Sequence, residues 1–100
     1  MKVIYSARLE AELAHALDEG IRRFGFRTAE KTVRRIDHVL NVMLASRPRM
    51  GQFLPDKDVY KLVLSGTPFI AYYFLDGAKN EITVLALYHR AQQRDEFESG

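Results

Sequence analysis

Apolar residues recur at helical spacing in the first half of the chain and in strand-like runs in the second. From Ala7 to Phe24 they fall at Leu9, Leu13, Ala16, Leu17, Ile21 and Phe24, with acids and bases on the other sides, which predicts an amphipathic helix. Ser6 stands where an N-cap hydroxyl would accept from the first turn, and Gly25 where a helix stops. A second helix is predicted from about Thr28 to Ser46, burying Ala29, Val33, Ile36, Leu40, Met43 and Leu44, and Pro48 prevents its continuation. The short link predicts an antiparallel helical hairpin. Met1 to Tyr5 reads as a short strand, Arg47 to Pro55 as an irregular loop, and Lys57 to Leu64 as another strand.

The stretch from Pro68 to Arg90 predicts a β-hairpin, with Asp76-Gly77-Ala78-Lys79-Asn80 as its turn. A strand with one wet face alternates apolar and polar residues, and these two do not. Phe69, Ala71, Tyr73 and Leu75 would face one way, and Ile70, Tyr72 and Phe74 the other. In the second run Ile82, Val84, Ala86 and Tyr88 would oppose Thr83, Leu85, Leu87 and His89. Both faces therefore want cover, and the helical hairpin can cover one. The fold class this predicts is α+β: an N-terminal strand, then an antiparallel helical hairpin packed on an antiparallel sheet, in the order β-α-α-β-β-β. Leu13, Leu17, Ile21, Val33, Ile36, Leu40, Phe69, Val84 and Ala86 are its expected core.

The length of 100 residues fits one domain, residues 1–100, with 91–100 a polar tail. An apolar share of 47% is that of a folded protein, and no apolar run is long enough to span a bilayer. The absence of cysteine excludes disulfide and thiol chemistry and, with no secretory signal visible, sets the cytoplasm as the expected location. Net charge is only +2, but between Arg22 and Arg49 eight bases face two acids, Glu30 and Asp37. Such a segment suits an acidic partner, or is simply a solvated helix face.

Catalytic signatures are sparse. The chain has no nucleophile elbow, no phosphate-cradling glycine loop and no metal-ligand spacing among His15, His38 and His89, and it implies no cofactor or metal. His89 beside Arg90 would place a proton-exchanging imidazole next to a phosphate-binding guanidinium. Tyr60 and Lys61, with Tyr72, Tyr73 and Tyr88, interleave aromatics and a base on one sheet; such rings bind unpaired bases by stacking or, more commonly, sit in the core.

The order and spacing of ARLEAELAHALDEGIRRFG, of L-A-S-R-P and R-M-G, and of P-F-I-A-Y-Y-F and I-T-V-L-A-L-Y-H-R resembles the toxins of the RelE/ParE superfamily, from bacterial type II toxin–antitoxin modules. The resemblance covers roughly Val3 to Asp95. It implies a cognate antitoxin as partner, through which the complex would reach operator DNA, and one of two activities. RelE-like members cleave messenger RNA on the ribosome, which here would put Lys61, His89 and Arg90 at a catalytic site. ParE-like members inhibit DNA gyrase, which would make His89, Arg90 and Arg94 target-binding residues. Ile70, Tyr72, Phe74, Leu85 and Leu87 would be the antitoxin-binding face. The RelE-like pattern carries further cations where this chain has Val63 and Pro68-Phe69, and no tyrosine follows in the tail, where Phe97 is the nearest aromatic. The ParE-like branch is therefore favoured.

Overall fold

The structure, a computed structural model, describes residues 1–91 and 97. Strand β1 (Lys2–Tyr5) leads into helix α1 (Ala7–Phe24), and helix α2 (Phe26–His38) follows after a single residue. Ser6 caps α1 as the sequence suggests, its Oγ accepting from the Leu9 N–H at 3.0 Å. Gly25 makes the whole hairpin link. Its φ of +90° and ψ of 164° belong to a region open almost only to glycine, so α2 starts two residues earlier than predicted.

Helix α2 continues through a π-helical turn (Val39–Met43) into a last short turn, α3 (Leu44–Ser46). A π turn inserts one residue into the helical repeat and shifts the side-chain phase after it. Within it Val39 and Leu40 are buried while Val42 is half exposed. Asn41 donates to the Tyr5 hydroxyl at 2.8 Å, and that hydroxyl donates to Asp37 Oδ1 at 2.7 Å.

The sheet has five strands in the order β1-β5-β4-β3-β2. Strands β2 (Gln52–Leu54), β3 (Val59–Val63), β4 (Phe69–Asp76) and β5 (Glu81–His89) form an antiparallel meander. The predicted α+β class holds, with two differences. The Arg47–Pro55 loop contains the three-residue strand β2, and β1 pairs with β5 in parallel, so the sheet is mixed. In the β4–β5 turn Asp76 Oδ1 accepts from the Lys79 N–H at 3.1 Å, and Asn80 takes a positive φ of 55°.

The main core lies between sheet and helices. Leu9, Ile36, Val39, Leu40 and Leu44 meet Leu62, Leu64, Ala71, Tyr73, Ile82, Val84 and Leu87 there. Strand β4 alternates as expected, but β5 does not. Tyr72 pairs with Ala86 and Tyr73 with Val84, which leaves Leu85 as an extra residue on β5. A β-bulge of this kind reverses the facing of everything after it. Ala86, expected in the helix-side core, therefore joins Val59, Tyr72 and Tyr88 on the opposite face. Leu87, expected on that face, is buried under the helices. The bulge is held from α1, where Ser6 Oγ donates to the Leu85 carbonyl at 2.9 Å and Glu12 Oε1 accepts from the Leu87 N–H at 2.9 Å.

The far half of the hairpin is not core. Leu17, Ile21 and Val33 are only half-buried, and Phe24 at the tip is 70% exposed. The helices outrun the sheet, so the predicted apolar stripe continues past the surface it packs on.

Candidate functional site

The sheet face away from the helices carries an aromatic cluster built by β4, β5 and the tail. Tyr72 and Tyr88 meet edge to face at 5.7 Å between ring centroids. Phe97 stacks on Tyr72 at 4.5 Å and 17°, and meets Tyr88 edge-on at 6.3 Å. Arg8 reaches over from the first turn of α1, its guanidinium 5.6 Å from the Tyr88 centroid and 5.9 Å from that of Phe97. Its Nη2 donates to the Tyr88 hydroxyl at 2.7 Å, and its Nε lies 3.5 Å from Glu12 Oε1. A cation above aromatic faces is attracted by the ring quadrupoles.

The expectation that this face needs an external cover is therefore corrected in part. Val59, Tyr72, Ala86 and Tyr88 are buried within the chain itself, with Phe97 packed against them. What stays accessible lies around that cluster, where Ile70, Phe74 and Leu85 are half-buried and Val63 is 50% exposed. Of the five residues predicted to bind an antitoxin, Ile70, Tyr72, Phe74 and Leu85 share this face. Leu87 does not, because the bulge turns it inward.

The three residues predicted to catalyse do not converge. Lys61 pairs with Tyr72 in register and so lies on the aromatic face. His89, past the bulge, lies on the helix side at the end of the sheet, its ring edge-on to Phe69 at 5.2 Å and its Nδ1 accepting from the Ala91 N–H at 3.0 Å. Arg90 is exposed in the turn after β5, tied by its N–H to the Pro68 carbonyl at 2.7 Å. Arg94 lies outside the described residues. Lys61 and His89 thus stand on opposite faces, and 2′-OH attack on a phosphodiester needs its base, acid and cations around one phosphate.

On the helix side a second aromatic series runs from β2 inward. Phe53 meets Tyr60 at 5.1 Å, and Tyr60 stacks on Tyr73 at 5.1 Å and 10°. The buried Tyr73 hydroxyl donates to the Pro48 carbonyl at 2.7 Å and accepts from the Gly51 N–H at 3.0 Å. Burial pushes the pKa of this phenol up. A Cβ at Gly51 would stand 2.7 Å from the Lys61 carbonyl oxygen and 2.8 Å from the Tyr73 hydroxyl, so only glycine fits. This network pins the Arg47–Gly51 loop to the sheet.

Sequence reasoning missed Arg8 and Glu12 as partners of the sheet. The one available signal was their spacing, four residues apart at the start of an amphipathic helix. It named Phe97 only as a mismatch, since nothing local says where a tail aromatic lands.

With this geometry the chain superposes on solved toxin–antitoxin structures. A chain of the chromosomal ParDE system from P. aeruginosa matches with a TM-score of 0.73 and 25% identity over 89% of this chain and 95% of that one. The fold is that of the RelE/ParE superfamily. The RelBE2 toxin–antitoxin complex from Mycobacterium tuberculosis matches at 0.64 and 17% identity, covering 91% of this chain and 92% of that one. The isolated E. coli RelE toxin matches at 0.54 and 18% identity, covering 95% and 87%. No protein-family model matches the sequence, and no curated protein does. The higher score of the ParDE chain favours the ParE-like side of the superfamily. Among the described residues no helix is long and apolar enough to cross a membrane.

Proposed function

We propose that this chain is the toxin of a type II toxin–antitoxin pair and that it acts by binding DNA gyrase rather than by cutting RNA. The observation that carries the first part is the ParDE likeness, which spans 95% of the matched chain. The second part is supported by the separation of Lys61 from His89 across the sheet. Target contact falls to the exposed Arg90 and its neighbours at the end of β5. The antitoxin lays apolar side chains on Ile70, Phe74 and Leu85, around the cluster that Phe97 covers.

Purified components decide the activity. The chain should block supercoiling of plasmid DNA by gyrase with no ribosomes present, and should leave messenger RNA intact during translation. Codon-specific cuts on ribosomes, slowed about 10²–10⁴-fold in His89→Gln as expected for a lost acid or base, would establish the endonuclease reading instead.

A further inference from the structure

At the end of the sheet away from Arg90, the helix side carries a pocket of about 350 Å³. Pro48 and Arg49 line it from the loop before β2, Phe53 and Tyr60 from β2 and β3, Asp58 from the turn between them, and Leu75 from the end of β4.

The ring series that starts at the buried Tyr73 runs outward through Tyr60 and ends at Phe53, which is 46% exposed. Among the described residues no further ring continues it, so the stack presents an open aromatic end to the pocket. Arg49 stands between Pro48 and Gly51, the two residues that the Tyr73 hydroxyl pins, so its backbone is fixed while its side chain is exposed. Its Nη1 donates to the Tyr60 hydroxyl at 3.3 Å, and among the described residues no carboxylate forms an ion pair with it.

Asp58 has a φ of 54°, in the left-handed region that few residues other than glycine, asparagine and aspartate enter. An aspartate in a turn commonly spends its carboxylate on a neighbouring N–H, as Asp76 does on that of Lys79. Among the described residues the Asp58 carboxylate makes no such bond and no ion pair. A strained backbone that holds an uncommitted charge at the wall of a pocket points to a ligand.

We propose that this pocket binds a single guanine nucleotide, a guanosine 5′-phosphate. The open end of the ring series takes the flat face of the base, because bases stack on aromatic side chains. The Arg49 fork takes the phosphate, its planar geometry matching two phosphate oxygens at once. The Asp58 carboxylate selects the base. It can only accept, and of the common bases only guanine presents adjacent N–H donors on one edge, at N1 and N2. Adenine and cytosine set a ring-nitrogen acceptor beside the amino group, and uracil flanks its N–H with two carbonyls. The volume is at the small end of the range for ligand pockets, about 300–1,000 Å³, which suits one nucleotide rather than a strand. The site goes beyond the gyrase reading and does not depend on it, since neither Arg90 nor Ile70, Phe74 and Leu85 line it.

Calorimetric titration of the full chain with guanosine 5′-monophosphate tests the proposal, and amide shifts of the labelled chain locate the site. The nucleotide should shift Arg49, Phe53, Tyr60 and Leu75. Adenosine 5′-monophosphate and unphosphorylated guanosine should each bind about tenfold more weakly or worse. Arg49→Gln and Phe53→Ser, both at exposed positions and so compatible with folding, should each weaken binding about tenfold. Asp58→Asn keeps a residue that tolerates the left-handed backbone but sets a donor beside the acceptor. It should lose guanosine 5′-monophosphate and gain xanthosine 5′-monophosphate, which has a carbonyl at C2 in place of the amino group. A purely structural Asp58 would not exchange one base for the other. The proposal is overturned by equal binding of adenosine 5′-monophosphate, by an unchanged base preference in Asp58→Asn, or by shifts centred on Tyr72 and Tyr88. Absence of binding at millimolar nucleotide overturns it too. So does binding at least tenfold tighter by an RNA trinucleotide headed by the same guanosine 5′-phosphate, which would assign the pocket to an RNA end.

Discussion

Tyr73 joins the core to the loop before β2. Its ring is buried in the helix-side core, and its hydroxyl holds both Pro48 and Gly51 of the loop before β2. Tyr73→Phe would leave the Gly51 N–H and the Pro48 carbonyl without their partner. It should cost about 1–3 kcal/mol in denaturant unfolding, the usual range for stranded buried groups. Tyr5 is also raised, first by burial and then by its hydrogen bond to, and the charge of, Asp37. Both phenols stay protonated in the folded chain while the unfolded chain ionises near the ordinary value of 10.0. Their contribution is thus complete below about pH 10 and is lost as pH rises above it, because the unfolded state then binds fewer protons. Unfolding free energy measured across pH 9–11 should fall, and less steeply in Tyr5→Phe.

At the scale of elements, the bulge in β5 decides which residues the core owns. Leu87→Ala should cost about 2–5 kcal/mol, as truncations in a packed core do, whereas Leu85→Ala, half-buried on the other face, should cost under about 1 kcal/mol. Equal costs would mean that the strand alternates without a break. Ile36, fully buried where α2 crosses the sheet, should likewise cost about 2–5 kcal/mol on truncation to alanine. The helices, the hairpin and the class were legible because long amphipathic and apolar runs carry their own periodicity. The bulge was not, because Val84-Leu85-Ala86-Leu87 is apolar throughout and holds no glycine or proline to mark an extra residue. One of the groups that hold it sits 75 residues away, the Glu12 carboxylate that takes the Leu87 N–H. Strand β2 was hidden by its three-residue length, and the π turn by a spacing that still reads as helical.

For the whole molecule, the two sides of the sheet carry different work. The aromatic face is largely closed by Phe97 and Arg8, and the helix side opens at the hairpin tip. The site inferred from sequence was legible as residue types but not as a place, since the bulge moved His89 and Leu87 to the side opposite Lys61 and Tyr72. In cells expressing the chain, Arg90→Ala should relieve growth arrest, while Lys61→Ala should keep it, measured as colony-forming units after induction. Relief by both would point back to RNA cleavage.

The parallel pairing of β1 with β5 also sets a clock. Val84, the partner of Tyr5, is made 79 residues later, about 4–16 s at translation rates of roughly 5–20 residues per second. Until then the first strand lacks β5, its neighbour in the sheet, and with it any link to the rest of the meander. The helical hairpin waits as long for Ile82, Val84 and Leu87, which complete the floor of its core.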